Sequence, residues 1–390
     1  MIYLDNNSTT RVLESTADAM RPFLTERFAN PASAIAQFSG IAQTIEAEKS
    51  RLCKALGADD GDQLVVTSGA TESNNLALLG AARAHRERRH VIVSSIEHPS
   101  VMEVCERLRA DGYRVSMLPV NPEGTVDEPA LDGMLSVDTL LVSVMLANNE
   151  TGVIQPVGSV AKAVKRRDPV VLIHTDATQA VGKMPIDLSG DLADVDLLSL
   201  SAHKFHGPKG TGALFVRDTG ILAPIVYGGG QQNGLRAGTE NPAGLVGMVT
   251  ALMTLLADTQ ALARVAGLRS QLETGILGAF PSAFVLGGSA RRLPTTLNVC
   301  LPDIDAEEIV DQMAARNIAI SAGSACSHGA RKPSYVALAH GLSYERAKSC
   351  IRLSLSIETT QSEIDTFLRE FENLVGSSTP PYVSARRANR

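Results

Sequence analysis

The stretch LLSLSAHKFHGPKGTGALFVR, residues 197–217, decides the fold class. Two apolar runs, Leu197–Ser201 and Gly212–Arg217, flank a turn rich in glycine, and each run is typical of a strand buried on both faces. A lysine, Lys204, follows the first run closely. A lysine in this position is unusual, because burial disfavours its charged ammonium group. The stretch therefore predicts a covered sheet with a reactive side chain at its edge.

Outward from this stretch, short apolar runs alternate with segments of helical periodicity. The predicted strands before it are Leu64–Thr67, His90–Ser95, Val115–Pro119, Thr139–Leu146 and Val170–Thr175. Helices are predicted between several of them, for example over Ser100–Ala110 and Val157–Arg166. This alternation indicates βαβ units in a mostly parallel sheet, in which ligands bind at the carboxyl ends of the strands.

The last third of the chain differs in character. One long helix is predicted over Pro242–Ile276 from its apolar spacing. Short strands and helices of a smaller α+β domain follow, at Phe284–Leu286, Thr296–Cys300, Ala306–Arg316, Ile351–Leu355 and Ser362–Leu374. The final residues, 377–390, are rich in Pro, Ser and Arg, which predicts a disordered tail.

Composition argues against several classes of protein. Of the 390 residues 44% are apolar and 20% are charged, and the net charge is −6. This balance argues against a protein that coats nucleic acid and against a disordered chain. The five cysteines form no CxxC pair, so we expect neither a disulfide framework nor a structural metal site. The first residues show no export signal, and the apolar stretch Leu245–Ala257 is too short for a membrane span. We expect a cytoplasmic enzyme.

Three sequence elements at the ends of predicted strands favour a catalytic site when they are considered together. Ser68–Ser73 begins a helix after one strand, Asp176 ends another, and Lys204 ends a third. Taken singly, the first two are more typical of helix N-caps, and a single lysine such as Lys209 is more typical of the surface. Together they supply an anion cradle, a carboxylate for a pyridinium nitrogen and an amine for a Schiff base, which are the needs of pyridoxal phosphate.

Four further residues each have a plain interpretation beside a functional one. His98 could stack on a cofactor ring or simply begin a helix, and Asn149 could bind ligand oxygens or form a turn. Arg352 lies within a predicted strand and needs an anionic partner, such as a substrate carboxylate. Cys326 lies among small residues without apolar periodicity, which favours an exposed nucleophilic thiol. His328 beside it is not enough for a metal site. We predict inert buried thiols at Cys53, Cys105, Cys300 and Cys350.

In their order along the chain, these stretches resemble the cysteine desulfurases of the NifS and IscS type, which are class-V aminotransferase-like enzymes of pyridoxal-phosphate fold type I. The matching stretches, which span nearly the whole chain, are YLDNNSTTRV (3–12), TSGATESNN (67–75), SSIEHPSV (94–101), NNETGV (148–153), HTDATQAVGK (174–183), SLSAHKFHGPKGTGAL (199–214), GGGQQNGLRAGTEN (228–241), SAGSACSHG (321–329) and IRLSLS (351–356). The resemblance implies an α/β fold with a mostly parallel seven-stranded sheet in a large domain, residues 15–257. The smaller α+β domain would comprise residues 1–14 and 258–376 and carry the catalytic cysteine.

The resemblance also implies a role for each matching residue. Lys204 binds pyridoxal 5'-phosphate and moves protons at the substrate Cα, Asp176 pairs with the ring nitrogen, and His98 stacks on the ring. The full set of implied cofactor-binding residues is Ala70, Thr71, His98, Asn149, Asp176, Gln179, Ser201, His203, Lys204 and Thr239, the last reaching the phosphate of the neighbouring subunit in a homodimer. Asn149 and Arg352 hold the substrate carboxylate, and Cys326 attacks the substrate sulfur.

The implied reaction converts L-cysteine to L-alanine and leaves a persulfide on Cys326. The persulfide passes its sulfur to an acceptor protein, which in the family serves iron–sulfur cluster assembly, tRNA thiolation or DNA phosphorothioation. A selenocysteine lyase or another class-V lyase or transaminase is the alternative enzyme, and a scaffold protein of the same fold is the alternative from another class. The chain departs from the family pattern after Asn30–Ser33, where no histidine follows, and at Gln232, Lys332 and Ile357. These departures bear on the choice of acceptor.

Overall fold

A computed structural model of the protein describes residues 1–58, 63–323 and 333–376. Its strands are β1 (Ile2–Tyr3), β2 (Gln63–Thr67), β3 (His90–Ser94), β4 (Arg114–Leu118), β5 (Thr139–Ser143), β6 (Leu172–Asp176), β7 (Leu197–Ser201), β8 (Gly212–Val216), β9 (Phe284–Val285), β10 (Thr296–Cys300), β11 (Ile318–Ala319), β12 (Ser321–Ala322) and β13 (Cys350–Ser354). Its helices are α1 (Glu14–Thr25), α2 (Ala36–Ser39), α3 (Ile41–Ala55), α4 (Ala70–Ala84), α5 (Pro99–Ala110), α6 (Glu128–Met134), α7 (Val157–Arg167), α8 (Pro242–Ala257), α9 (Ala261–Ala279), α10 (Ala306–Ala314), α11 (Tyr335–Ala339), α12 (Tyr344–Ala347) and α13 (Gln361–Gly376). The predicted tail, 377–390, lies outside the described residues.

The chain packs as two compact units. The large unit comprises Thr9–Asn149 and Val153–Thr259. The small unit combines Met1–Ser8, Glu150–Gly152 and the residues from Gln260 onward. The domain bounds expected from the sequence stay a prediction.

The large unit is built on a seven-stranded sheet of order β2-β8-β7-β6-β5-β3-β4. Strand β8 runs antiparallel to β2 and β7, and the other strands run parallel to one another. Every residue of β3, β5, β6, β7 and β8 is buried, which explains their continuous apolar sequences, since both faces of the sheet are covered. The predicted α/β class with a mostly parallel seven-stranded sheet is confirmed.

The small unit contains an antiparallel sheet of order β12-β13-β10-β9 and a parallel pair, β1 and β11. Helix α13 turns an apolar stripe inward, where Ile364, Phe367 and Phe371 are fully buried. The two phenylalanine rings stack with their centroids 5.9 Å apart. The smaller α+β part of the predicted fold is therefore also confirmed.

The single long helix predicted over Pro242–Ile276 is wrong. The structure has two helices there, α8 and α9, which bend by 77° across a short break. Asp258, with φ −96° and ψ 83°, leaves the helical conformation and ends α8. Within the described residues, no single helix is long and apolar enough to cross a membrane, and α8 and α9 meet that test only as a bent pair.

The prediction of inert thiols at Cys300 and Cys350 is also wrong. Both residues are buried, but they face each other in β10 and β13 and form a disulfide. Leu301 N–H donates to the carbonyl of Ser349, so the cysteines form the neighbouring non-hydrogen-bonded pair, in which side chains approach closely. Cys53 is half-buried. Cys105 remains a buried thiol, and burial raises its pKa to about 12.

Candidate active site

The predicted site residues of the large unit gather at one edge of its sheet. Strands β2, β3, β5, β6 and β7 run in the same direction, so their carboxyl ends share that edge. Asp176 is the last residue of β6 and Ser201 the last of β7. His98 and Asn149 come a few residues after β3 and β5. The topology thus brings together residues that lie far apart in the sequence.

A turn between β2 and α4 forms a cradle for an anion. Gly69 has a φ of 150°, which favours glycine, and α4 begins directly after it. The first N–H groups of a helix, here those of Ala70 and Thr71, have no acceptor within the helix. A Cβ added to Gly212 would lie 2.6 Å from the Cα of Gly69, and one added to Gly69 would lie 3.5 Å from Ser201 Oγ. The Ser201 hydroxyl therefore lies against the start of α4, where a phosphate would find neutral donors.

His203 lies next to this cradle, in the 3-10 turn Ala202–Lys204. Its Nδ1 is 3.0 Å from Thr9 Oγ1. Burial, with the charges of nearby lysines (Lys204 first) adding to it, lowers the pKa of His203 to about 4. The imidazole is thus neutral at physiological pH and can take part in a hydrogen bond without carrying charge.

Asp176 anchors a hydrogen-bonded network that the sequence did not predict. The side chain is only 3% exposed. Its Oδ2 accepts from Asn74 Nδ2 (2.8 Å), and its Oδ1 accepts from Thr178 N–H (2.9 Å). Asn74 Nδ2 also donates to Ser100 Oγ (2.8 Å), which lies 2.9 Å from His98 Nδ1. Asn74 and Ser100 thus link the carboxylate of Asp176 to the imidazole of His98.

The network fixes the protonation of His98. Ser100 N–H donates to His98 Nδ1 (3.1 Å), so the proton of the neutral ring lies on Nε2. Burial is the largest influence on the pKa of His98 and lowers it; the charge of Asp176 opposes this shift and the charge of Lys204 supports it. The pKa of His98 is therefore influenced by both Asp176 and Lys204, which lie at the ends of two other strands.

Two more buried side chains lie in the stretches that carry the site. Gln179 Oε1 accepts from Lys183 Nζ (2.6 Å), and this contact sets the orientation of the Gln179 amide. Glu97, beside His98 in the sequence, is 0% exposed. Its Oε1 accepts from Ser94 Oγ (2.7 Å) and from Met145 N–H (2.6 Å). Burial, with the charge of Asp176 adding to it, raises the pKa of Glu97 to about 8 against these hydrogen bonds.

The two lysines of the glycine-rich turn differ in exposure. Lys204 ends the 3-10 turn after β7 and is half-buried. Lys209 is exposed, as expected of a surface lysine. A half-buried amine beside the Asp176 network is better placed for covalent chemistry than a solvated one.

Thr239 lies in the glycine-rich segment 228–241 and is exposed. This segment is tied to the anion cradle through one ion pair. Arg236 Nε donates to Glu72 Oε1 (2.7 Å), and Glu72 Oε2 also accepts from Ser68 N–H (2.7 Å). Thr239 thus lies on a segment that the Arg236–Glu72 ion pair holds against the start of α4.

Arg352 lies in β13 of the small unit and is 3% exposed. Its Nη2 donates to Asp5 Oδ1 (2.7 Å) and to Ser8 Oγ (2.9 Å). The anionic partner expected for an arginine within a strand is therefore present in the protein itself. Asp5 was missed because only the folded chain shows which strand the first residues approach. Cys326 and His328 lie outside the described residues.

Comparison with known proteins places these features in context. The aminotransferase class-V family model matches residues 2–367. The cysteine desulfurase NifS of Azotobacter vinelandii is 40% identical over 98% of this chain and 95% of its own. A solved NifS-like protein superimposes with a TM-score of 0.89 at 34% identity, covering 97% of this chain and all of the other. The solved complex of SspA with cysteine gives a TM-score of 0.80 at 32% identity, over 92% of this chain and all of SspA.

Proposed function

The chain belongs to the aminotransferase class-V family and is a cysteine desulfurase of the NifS and IscS type, and from this premise we propose how its residues share the work. L-Cysteine is converted to L-alanine, and its sulfur becomes a persulfide on Cys326. The carbon–sulfur bond of the substrate breaks, and a sulfur–sulfur bond to Cys326 forms. The proton that the Cys326 thiol gives up is balanced by the proton that the substrate carbon gains in place of sulfur. The observation that carries the proposal is the sheet edge where Asp176, His98 and the anion cradle lie together beside Lys204.

The residues at this edge fit pyridoxal phosphate. The start of α4 and the Ser201 hydroxyl offer neutral donors to a phosphate, and the close approach of Gly69 and Gly212 leaves no room for side chains between them. Buried Asp176, held by Asn74 and Thr178, would keep a proton on the ring nitrogen. When bound, the cofactor withdraws electrons from the substrate carbon beside the amino group.

The protein's own groups complete the reaction. The Lys204 amine holds the cofactor and carries the proton that leaves and returns at the substrate Cα. Arg352, oriented by Asp5, binds the substrate carboxylate together with Asn149. The Cys326 thiolate attacks the substrate sulfur, because a thiolate is the nucleophilic form of cysteine.

We propose a homodimer, in which Thr239 of each subunit contacts the phosphate held by the other. The exposure of Thr239 and the Arg236–Glu72 ion pair at the base of its segment support this arrangement. The persulfide then passes to an acceptor protein of iron–sulfur assembly, tRNA thiolation or DNA phosphorothioation.

Variants of Lys204 and Cys326 test the division of labour. Lys204→Ala should abolish both the visible absorbance of bound cofactor and alanine formation, whereas Lys209→Ala should keep both. Cys326→Ser should keep the absorbance and the spectral change on adding L-cysteine but form no persulfide, since a hydroxyl is a far poorer nucleophile at neutral pH. Cys53→Ser is the matched control and should form persulfide at the normal rate.

The contrary outcomes point to the alternatives. Sulfide release by Cys326→Ser at the wild-type rate would indicate a lyase that frees its product directly, such as a selenocysteine lyase. A wild-type protein that binds no pyridoxal phosphate would indicate a scaffold protein instead.

A further inference from the structure

The glycine-rich segment 228–241, which carries Thr239, is fastened to the edge of the large sheet by one side chain. Strand β2 lies at one edge of that sheet, so the outer side of its backbone is open to contacts from other parts of the chain. Val66 N–H donates to Gln232 Oε1 (2.6 Å), and Gln232 Nε2 donates to the Val66 carbonyl (2.7 Å). The Gln232 amide thus satisfies both backbone groups of one β2 residue, as a neighbouring strand would do.

The residue before Thr239, Gly238, is held by the residue before Gln232. Gly238 N–H donates to Gln231 Oε1 (2.9 Å). Gly238 has a φ of 110°, a conformation that favours glycine, and a glycine loses more conformational freedom than other residues when it is ordered. The contact to Gln231 therefore helps to set the direction in which the chain continues to Thr239. Because Gln231 directly precedes Gln232, the bonds between Gln232 and β2 fix the backbone from which the Gln231 side chain extends.

The turn at Gln232 depends on these contacts for its shape. Gln232 and Asn233 have φ values of 51° and 57°, in the left-handed region that residues with a Cβ seldom adopt. Such conformations persist where contacts in the surrounding structure hold them. One backbone bond, from Leu235 N–H to the Gln232 carbonyl (3.1 Å), adds to the two side-chain bonds with Val66. Without the side-chain bonds, the turn would relax toward commoner backbone angles, and Gln231 would move with it.

We propose that Gln232 is a positioning residue for Thr239, because its amide fastens the segment that carries Thr239 to β2. The inference rests on the proposed function, since it requires the homodimer in which Thr239 contacts the phosphate held by the other subunit. A hydroxyl that is already oriented loses less freedom when it binds a phosphate, and the binding is correspondingly tighter. Gln232 of one subunit should therefore strengthen cofactor binding in the other subunit.

The chemistry of the contact indicates the most informative substitution. Gln232→Glu keeps the size of the side chain and the acceptor for Val66 N–H. An ionised carboxylate has no hydrogen to donate, however, and its negative charge would face the Val66 carbonyl oxygen. The variant therefore loses one hydrogen bond and gains a repulsion. Gln312→Glu is the matched control: Gln312 is exposed in α10, and its Oε1 accepts from Arg316 Nη1 (3.1 Å), a bond that a carboxylate also makes.

Mixed dimers show in which subunit Gln232 acts. One subunit carries Lys204→Ala and the other keeps Lys204, so the visible absorbance of bound cofactor reports one site only. Different affinity tags on the two subunits allow the mixed dimer to be purified, and the apoprotein is titrated with pyridoxal phosphate. Gln232→Glu on the Lys204→Ala subunit should weaken binding at the reporting site about tenfold. On the subunit that keeps Lys204 it should change binding by less than about twofold, and Gln312→Glu in either subunit should have no effect.

The alternative is an effect within one subunit. Val66 lies two residues before Ser68, where the anion cradle begins, so Gln232→Glu could act on the cradle of its own subunit. In that case the loss of affinity would appear when the substitution is on the subunit that keeps Lys204, and the inference would be wrong. An unchanged affinity in both mixed dimers would also overturn it.

Two further variants in the same mixed dimers complete the test. Gln231→Ala, which decides the matter if Gln232→Glu does not fold, should weaken binding in the other subunit about threefold, because Gly238 loses an acceptor; an unchanged affinity would overturn the inference. Thr239→Ala on the Lys204→Ala subunit should weaken binding at the reporting site. Adding Gln232→Glu to it should cause no further loss, because both act through one contact, and fully additive losses would refute the inference alone. If Thr239→Ala has no effect there, the proposed homodimer arrangement is refuted, and the inference with it.

Discussion

Replacing Glu97 by glutamine should remove a pH dependence from the stability of the protein. The Glu97 carboxyl group is fully buried and its pKa is raised to about 8, whereas in an unfolded chain it titrates near pH ~4.3. Between these values the folded protein keeps a proton that the unfolded chain has released. The stabilisation by the protonated group is therefore complete below the unfolded pKa and is lost as the pH rises through the folded pKa.

The size of the effect follows from the shift. One group contributes a slope of about 1.4 kcal/mol per pH unit within the window, and about 5 kcal/mol at most across it. The wild-type free energy of unfolding should fall from about pH 6 to about pH 8 by a few kcal/mol because of this group. Glutamine can accept the hydrogen bonds from Ser94 and Met145 without ionising, so the variant should lack this part of the fall.

Urea unfolding followed by far-UV circular dichroism, repeated across this pH range, measures the difference. The exposed residue Glu103, in α5, provides the matched control: Glu103→Gln should follow the wild-type curve. Parallel curves for wild type and Glu97→Gln at every pH would refute the assignment of a buried, protonated carboxyl group to Glu97.

Two further substitutions probe contacts that hold the site. Asp5→Asn should raise the KM for L-cysteine about tenfold with a smaller change in kcat, because the ion pair that orients Arg352 becomes a weaker bond from the guanidinium to a neutral amide. Initial rates measure this, and a lower kcat at unchanged KM would contradict it. Asn74→Ala should weaken pyridoxal-phosphate binding about tenfold, because Asp176 and Ser100 lose a shared donor. Cofactor titration of the apoprotein measures this, and unchanged affinity would remove Asn74 from the account of the site.

The sequence predicted the elements whose boundaries are set locally. Strands β7 and β10 have the predicted bounds, Leu197–Ser201 and Thr296–Cys300, because a doubly buried strand shows itself as a continuous apolar run. The break between α8 and α9 was missed since apolar spacing continues near Asp258, although the backbone leaves the helix there. The Cys300–Cys350 disulfide depends on the register of two strands, which neither cysteine's own surroundings reveal.

The same limit applies to the candidate site. Asp176, His98 and Lys204 could be placed at one sheet edge because each follows an apolar run, and parallel strands end together. Their partners could not be found in this way. Asn74 reaches Asp176 from a helix, and Asp5 reaches Arg352 from the other end of the chain. Such contacts between distant elements carry no local pattern.

The path of the chain through the small unit determines the order in which the protein can be completed during synthesis. Ile2 and Tyr3 are synthesised long before Ile318 and Ala319, with which they pair. Arg352, the partner of Asp5, is synthesised later still. The large unit comprises no residue beyond Thr259, and domains that are complete can fold while the ribosome is still adding residues. A growing chain can thus assemble the surface proposed for the cofactor well before it gains the arginine proposed for the substrate carboxylate. Binding of the cofactor and binding of the substrate would then become possible at two successive stages of synthesis.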